Sequence, residues 1–248
     1  MKTEKEPQNA EGWRLAGIEH QKDGNFDEAL AAFNKAIELA PSMQLPREGD
    51  YYYNRGLLYK DMWEGDLAAE DFRKAIELNP DHNEARDELN RILFTVNKSG
   101  AITRYNGKET SVTIPQKIGG IDVQTIGYQA FAAKGLTNVT LPKGVTEIGE
   151  EAFYSNQLSS IIIPESVTEI SFSAFRKNQL SSVTIPKGVK KICRNAFEGN
   201  QLSSITICEE ISLPEEQVFD NEFDNFYNSN GKKSGTYLFD GKRWSYKA

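Results

Sequence analysis

Two histidines, two cysteines and several adjacent carboxylates are the residues of this 248-residue chain whose types could support catalysis or hold a metal. His20 and His82 lie far apart in sequence, and neither has cysteines at zinc-ligand spacing, so no metal site is expected. Cys193 and Cys208 are too few for a disulfide framework and read as small apolar fillers. Glu150-Glu151 and Glu215-Glu216 are adjacent and surface-like rather than placed across a cleft, as acid/base work needs. The chain has no GxSxG elbow, no Walker loop and no HExxH, and no cofactor motif. The expectation is a protein that is not an enzyme.

Bulk properties narrow the partners. Residues 1–95 hold 12 Lys+Arg against 20 Asp+Glu, a net of -8, and residues 96–248 hold 17 against 16, a net of +1. Such asymmetry argues for two domains, and neither is a basic platform for nucleic acid. No run approaches the roughly 18 apolar residues of a membrane span. The opening MKTEKEPQNAEG lacks an apolar stretch of signal-peptide type, which points to the cytoplasm or to an export signal outside this chain.

Apolar spacing in the first half is helical. Trp13, Gly17 and His20 lie three or four apart, a turn follows at Asp23-Gly24-Asn25, and Ala29, Phe33, Ala36 and Ile37 form a second stripe stopped by Pro41. The pattern returns 39 residues later: Tyr52, Gly56, Tyr59, Ala68, Phe72, Ala75 and Pro80 match Trp13, Gly17, His20, Ala29, Phe33, Ala36 and Pro41. Gln44 to Glu48 are the inserted residues, and NEARDELNRILF (83–94) reads as a closing helix with Leu89, Ile92 and Leu93 inward. His20 is expected to pack as a core residue, at the position that Tyr59 holds in the second copy.

This half resembles the tetratricopeptide repeat. The resemblance implies antiparallel helix pairs whose first helices line a peptide groove. Carried over, the groove shows Glu11, Arg14, Ile18, Gln21, Lys22, Asp50, Tyr53, Asn54, Leu57, Lys60 and Asp61, extended by Asp87 and Arg91. Members that clamp a C-terminal carboxylate use Lys, Asn and Arg. Asn54 fits one such position, but Ile18 stands where an Asn is needed and Asp87 where a cation is.

The second half repeats every 22 residues. Leu136, Leu158, Leu180 and Leu202 form one column, and Phe131, Phe153, Phe175 and Phe197 another. Each unit opens with a short LxxVxI strand ended by Pro142, Pro164 or Pro186. Val145, Val167 and Val189 and then Ile148, Ile170 and Ile192 follow. The turn residues Asn156, Asn178 and Asn200 are of a type that tolerates left-handed backbone. The outward columns are Asn138, Ser160, Ser182, Ser204 and Thr140, Ile162, Thr184, Thr206. Lys143, Glu165, Lys187 and Glu209 alternate in sign, which would help fix register.

These units resemble BspA-type leucine-rich repeats, which implies a right-handed coil with a parallel sheet and, for such proteins, export or cell-surface attachment. The expected fold class is thus a two-domain repeat protein: an all-α helical-hairpin solenoid, then a right-handed β-rich leucine-rich-repeat solenoid with a C-terminal cap. Its parts are a flexible tail (1–9), two helix pairs plus capping helix (10–94), a junction and cap strand with Asn106-Gly107 as hairpin signal (95–111), 22-residue repeats (112–207), and a cap (208–248). In that cap Phe219, Phe223, Phe226 and Tyr227 recur at helical spacing, and a hairpin turns at Asp240-Gly241. Its aromatics Tyr237, Phe239, Trp244 and Tyr246 are a second candidate contact surface. The expected function is capture of a protein or peptide through the helical groove, the solenoid, or both. Adhesion to a host protein or glycan, and a structural or self-assembling scaffold, are the alternatives.

Overall fold

In a computed structural model, residues 7–40, 48–214 and 217–247 are described. Pro41, the inserted residues 44–47, Glu215-Glu216 and most of the tail lie outside them. The chain divides into two compact units, Met1–Ile92 and Leu93–Ala248.

The first unit is helical: α1 (Ala10–Lys22), α2 (Phe26–Leu39), α3 (Glu48–Asp61), α4 (Gly65–Leu78) and α5 (Asn83–Leu93). Asn9 caps α1 by accepting from Gly12 N at 2.7 Å. The matched glycines exist for close packing. A Cβ on Gly17 would lie 2.6 Å from the Phe33 ring, and one on Gly56 would lie 2.7 Å from Phe72. Ala29, Phe33, Ala36, Ala68, Phe72 and Ala75 are all fully buried. The second pair has a buried ionic link where the first has Ala16 and Ala32. Arg55 holds Asp71 through two bonds of 2.8 and 2.7 Å and reaches Asn34 at 2.7 Å. Its guanidinium also lies over the rings of Tyr52 and Tyr59. Leu89 and Ile92 face inward as expected, whereas Leu93 packs on the core of the second unit.

The second unit is a β-solenoid of about five turns. Its strands are β1 (Phe94–Val96), β2 (Ala101–Tyr105), β3 (Ser111–Thr113), β4 (Lys117–Ile118), β5 (Ile121–Asp122), β6 (Thr125–Ile126), β7 (Asn138–Thr140), β8 (Glu147–Ile148), β9 (Glu169–Ile170), β10 (Ser182–Ile185), β11 (Lys191–Ile192) and β12 (Ser204–Ile207). The cap adds α6 (Phe223–Ser229), β13 (Gly235–Phe239) and β14 (Trp244–Lys247).

One expectation is corrected here. The continuous ladder does not run through the LxxVxI segments. It runs through two-residue strands ending in Ile126, Ile148, Ile170 and Ile192, in the order β1-β2-β6-β8-β9-β11. The LxxVxI column is broken, since β3 pairs with β7 and β10 with β12. Ser160–Ile163 between them forms no strand. The last step of the charge ladder is also different: Glu209 pairs with Lys190 at 3.1 Å rather than with Lys187. Register is held instead by Lys191–Glu169 at 2.6 Å and Arg176–Glu198 at 2.7 Å.

Inside, the phenylalanines form one stack. Centroids of Phe131, Phe153, Phe175, Phe197 and Phe219 are 5.2, 5.4, 5.4 and 5.1 Å apart. Phe219 therefore belongs to a further, degenerate unit rather than to a helix, and α6 begins only at Phe223. Tyr105 closes the stack at one end at 5.3 Å, and Phe223 meets Phe219 edge-on at the other.

The turn asparagines also play a different part from the expected one. The left-handed residues are Gln129, Glu151, Ser173 and Asn195, and one step on Ala133, Ser155, Lys177 and Gly199. Asn156, Asn178 and Asn200 work through their side chains. Asn178 accepts from Leu158 N at 3.1 Å and donates to the carbonyls of Phe153 (2.9 Å) and Phe175 (3.0 Å), lacing successive turns together. The first hairpin likewise turns at Asn97–Gly100 instead of Asn106-Gly107. Asn97 Oδ1 accepts from Ser99 N and Ala101 N, both at 3.0 Å, and Gly100 supplies φ 79°. The expected turn at Asp240-Gly241 forms, with Asp240 accepting from Lys242 N and Arg243 N, both at 2.9 Å.

Candidate binding surfaces

The first helices of the helical unit position the groove candidates. Gln21 on α1 donates to Asp61 on α3 at 2.7 Å. Lys60 on α3 and Arg91 on α5 both hold Glu88, the latter at 3.0 Å. Arg14 binds Glu11 one turn away at 2.6 Å, and Asn54 donates to the Asp50 carbonyl at 2.5 Å. Ile18 and Leu57 are partly buried against the cores beneath them, and Lys22 is exposed at the end of α1. Tyr53 packs its ring on His82 at 4.7 Å and on Phe72 at 5.9 Å. Burial, then Glu88 and Glu84, push its hydroxyl pKa up.

His82 is buried, with one partner close in sequence and one that only the fold brings near. Its Nδ1 accepts from Ala85 N at 3.4 Å, at the start of α5, and its Nε2 is 3.6 Å from Asp50. Arg14, Lys60 and Arg91 are thus each engaged by a carboxylate of the chain itself. The face offers side-chain amides, an aromatic ring and aliphatic surface, with Lys22 exposed at the end of α1.

The second candidate surface needs correction. Tyr237 and Trp244 are buried, since β13 adds antiparallel to β12 and folds both rings against Phe223. The Tyr237 hydroxyl donates to Lys233 O at 2.6 Å, and the Trp244 indole donates to Asn221 O at 2.9 Å. Phe239 is half-buried on Trp244. Tyr246 alone of the four is counted as exposed, and its hydroxyl donates to Ser234 O at 2.7 Å. These aromatics are the core of a cap.

Other exposed apolar residues were not singled out from sequence. Trp63 is 93% exposed, Ile162 86% and Tyr128 62%. Signals for two of them were present: Trp63 stands 39 residues after Gly24, and Ile162 interrupts a threonine column. Beside Ile162, where Ser160–Ile163 pairs with neither neighbour, a groove of about 620 Å³ is lined by Val139, Leu141, Ile161, Ile163, Lys143 and Glu165. Both cysteines are free thiols, Cys193 half-buried and Cys208 exposed. Burial pushes the Cys193 thiol pKa up, which lowers its thiolate fraction. Among the described residues no three His, Cys, Asp or Glu side chains converge as a metal site, and no helix is long and apolar enough to cross a membrane.

A pair of repeat units, one of packed helical hairpins and one of stacked β-turns, defines a protein whose chemistry lies on its surfaces. Residues 10–43 and 49–82 match the tetratricopeptide repeat, and residues 103–224 match the BspA type leucine rich repeat region in six copies. The first unit thus carries tetratricopeptide repeats and the second BspA-type leucine-rich repeats. Both are interaction folds. The chain is 38% identical over 82 residues to a tetratricopeptide repeat protein 36 homolog of Nematostella vectensis, a match covering 33% of this chain and 42% of that protein. A leucine-rich repeat protein from Bacteroides capillosus is 31% identical, covering 46% of this chain and 91% of that one, with TM-score 0.42. The leucine-rich repeat protein of T. pallidum is 26% identical, with 46% and 68% covered and TM-score 0.39.

Proposed function

We propose that the chain is a non-catalytic binding protein whose helical unit captures an extended protein segment on the faces of α1, α3 and α5. The supporting observation is the pair of cross-links Gln21–Asp61 and Lys60–Glu88–Arg91. They tie the three helices while leaving Ile18, Tyr53 and Leu57 partly exposed between them. Extended segments offer backbone amides to such side-chain amides and apolar anchors to such rings. Because Glu88 already occupies the space between Lys60 and Arg91, a terminal carboxylate is not the recognised feature.

The test is fluorescence anisotropy with 12-residue peptides selected from a displayed random library on the full chain. Tyr53→Ala is expected to weaken the selected peptides at least tenfold, and Glu88→Gln to strengthen those with acidic ends. Unchanged affinity in Tyr53→Ala contradicts the groove.

A second reading is adhesion by the solenoid, favoured by exposed Ile162 beside its apolar groove. It entails a protein displayed outside the cell, binding a protein or glycan surface. Antibody labelling of intact cells, with Ile162→Ser losing attachment, is its expected outcome.

A further inference from the structure

The turn between α3 and α4 holds a residue that stability alone does not explain. Trp63 has φ 62°, a left-handed conformation that is an outlier for a bulky residue. The same turn in the first hairpin holds Gly24 at φ 78°. The bonds are the same in both. Gly24 and Asn25 donate to Gln21 O and His20 O at 3.1 and 2.9 Å, and Trp63 and Glu64 donate to Lys60 O and Tyr59 O at 3.0 and 2.8 Å. This helix ending places glycine where Trp63 stands. A Cβ at Gly24 would meet nothing within 4 Å, so the position looks into open solvent in both hairpins. Trp63 thus carries backbone strain and buries almost nothing.

What surrounds it has a definite chemistry. Leu67, one turn into α4, is 40% exposed. Residues 61–70 hold four carboxylates and no Lys or Arg, in the half of the chain with net charge -8. Asp61 ends α3, while Glu64 and Asp66 begin α4, and all three are exposed. Tryptophan is the strongest ring for a stacked cation and a frequent anchor of interfaces.

We propose that Trp63 anchors a second binding surface, which takes a basic protein segment whose Arg or Lys stacks on the indole while its neighbours face Glu64 and Asp66. This surface goes beyond the groove and does not depend on it.

The probe is a 12-residue peptide of Arg, Lys and Leu, with a control in which Glu replaces every Arg and Lys, titrated into the full chain. The basic peptide is expected to blue-shift the part of the tryptophan emission that Trp63→Gly removes. It should bind Trp63→Gly at least tenfold more weakly and lose affinity as salt rises. Trp63→Gly restores the residue of the first hairpin, so its melting midpoint should equal or exceed the parent's. Should it melt lower, Trp63→Asn, also at ease in left-handed backbone, replaces it. Tyr53→Ala should keep the basic peptide, so failure here is distinguishable from failure of the groove. Absence of binding by the basic peptide, equal binding by the acidic control, or equal affinity in Trp63→Gly overturns the proposal. An emission shift driven by protein concentration alone also overturns it, by assigning the indole to a second copy.

Discussion

Asn178 is 4% exposed and its side chain bonds only to backbone, three carbonyls and one amide from adjacent turns. Asn178→Ala leaves the Leu158 N–H buried without a partner and takes one of two asparagine donors from each of Phe153 O and Phe175 O, and is expected to cost about 1–3 kcal/mol in denaturant unfolding. A loss within error of zero would contradict the lacing role. The column of asparagines was legible in the sequence, but its task was not. A short amide suits both a left-handed turn and side-chain bonding to backbone, and only the fold shows that Ser155, Lys177 and Gly199 take the left-handed role. The groove residues have the same ambiguity. Arg14, Lys60 and Arg91 were legible as cations of the first helices, while their compensation by Glu11 and Glu88 depends on side-chain reach across turns and helices.

Asp224 gives a pH-dependent prediction at the same scale. Burial pushes its carboxyl pKa above the ordinary 3.8, against the lowering effect of the Phe219 and Val218 amides that it accepts. The folded cap therefore holds this proton more tightly than the unfolded chain. Its contribution to stability is greatest below pH 3.8 and declines as pH rises toward the folded-state value. Asp224→Asn is expected to flatten that decline in thermal melts taken across mildly acidic pH, and an unchanged slope would contradict the burial cause. Tyr237 follows the same sign at the alkaline end, because burial pushes its pKa from 10.0 to about 12. Cap stability should fall between those values, and a cap insensitive to pH there would contradict it.

At the scale of elements, the phenylalanine stack carries the solenoid. Phe175 lies mid-column, fully buried between Phe153 and Phe197. Phe175→Ala is expected to cost about 3–5 kcal/mol, with hydrogen-exchange protection lost on both sides of residue 175. An unchanged melting midpoint would contradict the shared stack. The 22-residue period made this column readable because burial repeats with residue type. It did not reveal which segments pair. Hydrogen bonding is a property of backbone spacing, and two-residue strands such as Lys191–Ile192 carry too little pattern to stand out. The degenerate unit was hidden differently. Val218 and Phe219 keep the period, as Ile211 does in the valine column, but Pro214 stands where the isoleucine column would continue. In the helical unit, Asp71→Ala would leave Arg55 with Asn34 and the rings of Tyr52 and Tyr59 alone, and is expected to cost about 1–3 kcal/mol in denaturant unfolding.

At the scale of the whole molecule, two repeat units carry the surfaces, and the places of greatest chemical variety are those where the repeats depart from themselves. Inside the solenoid, the outward serines and threonines are chemically quiet apart from Ile162. In the helical unit, the first-helix faces and the turn at Trp63 hold the aromatic, amide and charged groups that interfaces use. The most direct measurement is a hydrogen-exchange footprint of the full chain with a peptide selected from a displayed random library. Protection is expected on α1, α3 and α5, over residues 10–22, 48–61 and 83–93, with the solenoid unchanged. Protection confined to the solenoid, or failure of the library to yield a reproducible binder, would contradict peptide capture by the helical groove.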